Sequence, residues 1–155
     1  MTKPKRKRAP KKPWYVDWRT ELLVKLALAR LPELRVCRFS DDNDDLLVVT
    51  DHGFCFFVMS KGFSSLANGS KDVDGKDELI IPAESDMIKR AHQYRNPVVL
   101  LYFNADTDHG RYLRLDTLTE ETMELRLPIE NTITKASLQK LIRELQAKPK
   151  VSKAS

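Results

Sequence analysis

The chain predicts a single α/β domain in which a mixed sheet has helices packed on its faces. Three observations carry that expectation: a long apolar-periodic helix at residues 14–31, three short strand-like runs close behind it, and a near-continuous apolar strand, "NPVVLLYFNAD", at 96–106 after a second helix. At 155 residues, with 41% hydrophobic and 32% charged residues and only five glycines, the chain has the length and composition to bury a core.

The elements follow in order. "WYVDWRTELLVKLALARL" (14–31) repeats apolar residues at three- and four-residue spacing and is rich in helix formers, and Pro32 closes it. Trp18, Leu22, Leu26 and Ala29 form one stripe; Trp14, Asp17, Glu21, Val24 and Leu28 run beside it, which places Glu21 among apolar neighbours. "LRVCRF" (34–39), "DLLVVT" (45–50) and "GFCFFVM" (53–59) read as strands, joined by links short enough for an antiparallel meander. The near-continuous apolarity of the second and third implies burial on both faces. Residues 62–78, full of Gly, Ser, Asn and Asp, read as one long mobile loop. "ESDMIKRAHQYR" (84–95) is expected to be helical, "GRYLRLD" (110–116) to pair back after the buried strand, and "MELRLPI" (123–129) to add an alternating strand. "NTITKASLQKLIRELQA" closes with a helix capped by Thr134.

The net charge of +5 is unevenly spread. Lys3, Lys5, Arg6, Lys7, Arg8, Lys11 and Lys12 give the first twelve residues seven cations and no acid, and the last eight residues add three lysines. Subtracting both from the whole leaves −5 on residues 13–147. The expected organisation is a basic disordered arm (1–13), a folded body (14–147) and a basic disordered tail (148–155). The arm suits phosphate backbones, so DNA or RNA is the expected partner; a purely solubilising tail is the alternative. Cys37 and Cys55 lack a CxxC spacing and a secretory signal before them, and are expected to be buried free thiols. No apolar run approaches the roughly 20 residues that span a bilayer, so no membrane role and a cytoplasmic location are expected.

Nucleotide-binding and hydrolase motifs are absent: there is no GxGxxG, GxxxxGK[ST], GxSxG or HExxH. His52, His92 and His109 show no metal-ligand spacing. What remains is a constellation of a helical Glu21, Asp45 at the start of a buried strand, and Lys61 on the next strand. Carboxylates of this kind can fix Mg²⁺, which polarises a phosphodiester, while a lysine stabilises developing negative charge. Strand alternation puts residues 59 and 61 on one face, and an acid or amide at 59 would complete such a site. The residue there is Met59, whose thioether is a poor ligand for a hard cation. Shifting the register by one residue puts Val58 and Ser60 in those places instead. Each residue also has a structural reading: Glu21 pairing with Lys25 one turn on, Asp45 ending a turn, Lys61 marking a strand's exit into water.

The order of elements, with Glu21 in the first helix, "DDLLVV", "FFVMSKG", "NPVVLLYFNAD", "GRYLRLD" and the ending "RLPIENTITKASLQKL", resembles the PD-(D/E)XK nuclease-like superfamily. Within it, the chain looks most like a bacterial family of unknown function whose members typically run "D-x-G-I-D-L", "Q-V-K-S", a "P-V-I-L-V" strand and "N-x-L-T-x-x-S-L". The resemblance covers about residues 15–146. It implies a restriction-endonuclease-like mixed sheet flanked by helices, Glu21 and Asp45 as metal ligands, Mg²⁺ as cofactor and Lys61 as the catalytic lysine, with Met59 standing where the family carries an acid or glutamine. The function it implies is a nucleic-acid-associated phosphodiesterase with a degenerate site. The alternative is a catalytically inactive module that binds nucleic acid or protein through its basic arm.

Overall fold

The computed structural model describes residues 12–39, 45–69 and 72–147. Helix α1 (Tyr15–Ala29) leads into strands β1 (Leu34–Arg38), β2 (Leu46–Thr50) and β3 (Cys55–Phe63). Strand β4 (Glu78–Pro82), helix α2 (Ser85–Gln93) and strands β5 (Val98–Asn104), β6 (Gly110–Arg114) and β7 (Glu124–Pro128) follow, and helix α3 (Lys135–Ala147) closes the described chain. Five strands form a mixed sheet in the order β1-β2-β3-β5-β6, in which β3 and β5 are parallel and the other neighbours antiparallel. The remaining two strands, β4 and β7, pair antiparallel as a separate ribbon.

Strand alternation divides the core into two. On one face Val48, Phe56, Val58, Val99, Leu101 and Phe103 meet Val24, Ala27 and Leu28 of α1 and Leu138, Leu141 and Leu145 of α3. On the other, Phe57, Met59, Val98, Leu100 and Tyr102 meet Met87, Ile88 and Ala91 of α2 and Leu79, Leu125 and Leu127 of the ribbon. All seven residues of β5 are buried, as the apolar run Val98–Phe103 requires of a central strand covered on both sides, and Asn104 at its end donates to Asp74. Among the described residues no helix is long and apolar enough to cross a membrane.

Three expectations are corrected. First, the stripe that faces the sheet is not Trp18–Leu22–Leu26–Ala29. The buried positions of α1 are Val16, Thr20, Val24, Ala27 and Leu28, while Trp18, Leu22 and Leu26 stand in solvent. Both sides of this helix are apolar, so spacing alone could not choose between them. Second, residues 62–78 are not one loop. β3 continues through Phe63 because Gly62 and Phe63 pair with Phe103 and Asn104 of β5, and a 3-10 turn forms at Val73–Gly75 before β4 begins. Third, Cys37 is exposed, because β1 is an edge strand that neither flanking layer covers, and Cys55, at the start of β3, is half-buried. The run "LIIP", for which no element was expected, is the body of β4 and pairs with β7 outside the main sheet.

Two local features fix the layers. Arg111 on β6, fully buried, donates to the carbonyls of Leu127, Asp74 and Lys76, tying the ribbon and its 3-10 turn to the sheet. Burial lowers the pKa of this guanidinium while the charges of Asp74, Glu130 and Asp77 raise it, for a net lowering. On the opposite face α1 crosses β3 so closely that a Cβ on Gly62 would lie 1.8 Å from Thr20 Oγ1 and 3.2 Å from Val16 Cγ1. Gly62→Ala is therefore expected to cost about 1–3 kcal/mol as an overpacked contact, measured by urea unfolding. The penalty should shrink in a Thr20→Ala background, where the nearest clashing atom is gone, and an equal penalty in both backgrounds would contradict the packing.

Candidate functional site

Asp45 precedes β2 on the α2 side of the sheet and is 2% exposed. A carboxylate so buried needs a counter-charge, because burial penalises its ionised form. The structure supplies one from α2. Arg90 Nε donates to Asp45 Oδ2 at 2.7 Å and Nη2 to Oδ1 at 3.1 Å, a forked contact that matches guanidinium to carboxylate. Tyr94, one turn further along, donates its hydroxyl to Asp45 Oδ2 at 2.7 Å. The Arg90 pKa is raised, first by this hydrogen bond to Asp45, against a smaller opposing effect of burial.

The same side of β3 carries Met59 and Lys61. Arg90 Nη2 lies 3.8 Å from Met59 Sδ, so the guanidinium lies against both residue 45 and residue 59. Lys61 donates to Glu84, the residue just before α2. Tyr94 stacks on Phe57 with ring centroids 4.0 Å apart, and Phe39 meets both rings edge-on. The expected row Asp45–Met59–Lys61 therefore exists on one face, and each charged member of it is answered by a side chain from α2 or its leading turn.

Glu21 lies elsewhere. It is exposed, pairs with Lys25 at 2.9 Å, and lines a groove of about 290 Å³ with Val36, Arg38, Leu46 and Ser60. Leu46 and Ser60 project to the α1 face, so the sheet separates Glu21 from Asp45. Among the described residues no group of three or more His, Cys, Asp or Glu side chains could hold a metal. The residues around Asp45 do not suit Mg²⁺: both carboxylate oxygens are engaged by Arg90, the neighbour is a thioether, and the second carboxylate is across the sheet. Of the basic arm, Lys12 is described and pairs with Asp17 at 2.8 Å; Lys3, Lys5, Arg6, Lys7, Arg8 and Lys11 lie outside the described residues.

A second polar cluster joins α1 to the turn after β5. Asp106 accepts from Tyr15 Oη at 2.5 Å, from Ser64 Oγ at 2.5 Å and from the Leu66 N–H at 3.0 Å, and Arg19 forks Asp108 at 2.9 and 3.1 Å. Burial pushes the Asp106 carboxyl up, but the hydrogen bonds from Ser64, Tyr15 and Leu66 with the Arg19 charge outweigh it and hold it below the usual carboxylate range.

Sequence reasoning missed Arg90, Tyr94 and Glu84. A signal was there, since positions 84, 87, 90, 91 and 94 share one helical face on which the apolar members pack on the sheet. Two polar residues on that face, Arg90 and Tyr94, required a buried acceptor. Compared with known proteins, the chain matches no family model and no curated protein.

Two outcomes test this geometry. Arg90→Met leaves a buried carboxylate without its cation and is expected to cost about 2–4 kcal/mol in urea unfolding, toward the lower end for broken buried pairs because Arg90 is partly exposed; a loss under 1 kcal/mol would contradict the pairing. For Asp106, a lowered folded pKa means stability that is present above the unfolded value of about 4 and lost as pH falls through the folded one. Asp106→Asn should therefore lower the melting temperature at neutral pH and flatten its acid limb below about pH 4.

Proposed function

We propose that this chain is a non-catalytic nucleic-acid-binding module with a restriction-endonuclease-like fold, in which an internal guanidinium has replaced the metal of a nuclease-like site. The observation that carries the proposal is the fork of Arg90 on Asp45 against Met59. A cation held there by α2 neutralises the carboxylate permanently and leaves no open coordination position, whereas a hydrolytic metal site needs hard oxygen ligands and room for water and phosphate. Lys61, engaged by Glu84, has its charge answered within the protein rather than presented to a substrate. The element order of helix, three-strand meander, ribbon strand β4, helix and a strand parallel to the third supports the nuclease-like reading of the fold.

The binding half rests on charge. Seven Lys/Arg in the first twelve residues precede a body of net charge −5, so attraction to a polyanion is concentrated at one end. Cationic contacts to phosphates release counterions, and affinity should fall steeply with salt.

The test has two arms. Incubation with single- and double-stranded DNA and RNA in Mg²⁺ or Mn²⁺ is expected to give binding without cleavage; cleavage that a chelator stops and Lys61→Ala abolishes would overturn the non-catalytic assignment. Replacing Lys3, Lys5, Arg6, Lys7, Arg8, Lys11 and Lys12 by glutamine in the full chain should flatten the slope of log affinity against log salt; an unchanged slope would remove the arm from the interface.

A further inference from the structure

α1 is apolar on two opposite sides, and only one of them is used by the fold. The inner side buries Val16, Val24, Ala27 and Leu28 against the sheet, while the outer side presents Trp14 at 86% exposure, Trp18 at 60%, Leu22 at 47% and Leu26 at 53%. These four follow at intervals of four residues and make one continuous strip along the helix. A strip of large apolar side chains in water marks an interaction surface, and two tryptophans at its leading end narrow the kind of partner.

We propose that Trp14 and Trp18 are a stacking platform for the bases of a single-stranded nucleic acid, working with the basic arm that runs directly into them; this rests on the nucleic-acid-binding reading above. Three observations select that occupant. The arm carries seven cations and no acid and ends two residues before Trp14, so phosphate-binding charge and exposed aromatic rings are adjacent in the chain. That combination is what sequence-tolerant single-strand binding requires, because every base offers a π-face and every nucleotide a phosphate. Next, the two ring-bearing positions are separated by one helical turn, about 6 Å along the axis, more than the roughly 3.4 Å between stacked bases of a duplex strand. A flexible strand opens its stack to that spacing freely, whereas a paired duplex does so only at the cost of unstacking a base step. Finally, the platform is anchored: Tyr15 is bonded to Asp106 and Arg19 to Asp108, so the first turns of α1 are fixed to the end of β5 while the tryptophans face outward. Leu22 and Leu26 extend the strip and offer apolar contact for the next base or sugar.

The chain contains two tryptophans, and both lie on this strip, so intrinsic fluorescence reports directly on it. Titration of the full chain with an oligo-dT strand is expected to quench the emission, and a duplex of equal phosphate content to quench it far less. Trp14→Ala and Trp18→Ala should each weaken single-strand binding by roughly five- to hundredfold, the range of one base–aromatic stack, without changing the salt slope, which counts phosphates. Both side chains are exposed, so the melting temperatures should match the parent. Binding that persists in both variants with unquenched emission overturns the platform and leaves the arm's role standing. Absence of binding to either nucleic acid overturns both. Concentration-dependent self-association that Trp18→Ala abolishes, without quenching by oligo-dT, assigns the strip to a second copy and also overturns the proposal.

Discussion

The contact between Asp45 and Arg90 sets how α2 lies on the sheet. A carboxylate at the start of β2, facing inward beneath α2, is costly to bury alone. Arg90 answers it with two hydrogen bonds and a full charge, and Tyr94 adds a third donor. Once Arg90 is aimed at Asp45, the face of α2 that carries Met87, Ile88 and Ala91 must lie on Phe57, Met59 and Leu100. The Tyr94 ring comes to rest on Phe57 as part of the same placement. The Lys61–Glu84 pair then ties the start of the helix to the same strand.

The two faces of the sheet consequently do different things. The α2 face is closed by internal charge pairs and by Arg111, which holds the ribbon's turn through three carbonyls. On the α1 face, close approach at Gly62 seats the helix against β3, and the consequence is an outer apolar strip with no described partner element over it. Catalytic potential, read from the residue types at 45 and 61, lies on the closed face. The binding we propose would use the outer side of α1, where Trp14 and Trp18 are exposed.

Much of the fold was legible because it is local. The meander and β5 announce themselves by continuous apolarity between turn-formers, and α3 begins where Thr134 and Ser137 cap each other, Ser137 N–H to Thr134 Oγ1 at 3.0 Å and Thr134 N–H to Ser137 Oγ at 2.8 Å. What was not legible depends on partners distant in sequence. Asp45 and Arg90 are 45 residues apart, so a reading of the strand alone offers a free carboxylate. Residues 62–78 look like a loop because their partners are distant: Gly62 and Phe63 pair with β5, and the carbonyls of Asp74 and Lys76 accept from Arg111, more than thirty residues later. For α1, two apolar rows fit the helical period equally well, and the choice is made by Gly62, where the absence of a side chain lets Thr20 rather than a tryptophan approach. Of the candidate site, the shared face of Asp45, Met59 and Lys61 followed from strand period, whereas the separation of Glu21 from them required the position of the sheet.

The cation serving Asp45 belongs to the protein. Paramagnetic Mn²⁺ titrated into isotope-labelled protein tests it directly, since a bound ion broadens the NMR signals of residues around it. With Arg90 in place, no broadening centred on Asp45, Met59 and Lys61 is expected, and the Arg90 guanidinium signal should persist unshifted throughout the titration. Selective loss of those backbone signals at low Mn²⁺, together with a shift of the Arg90 side chain, would show a metal displacing the arginine and would contradict it.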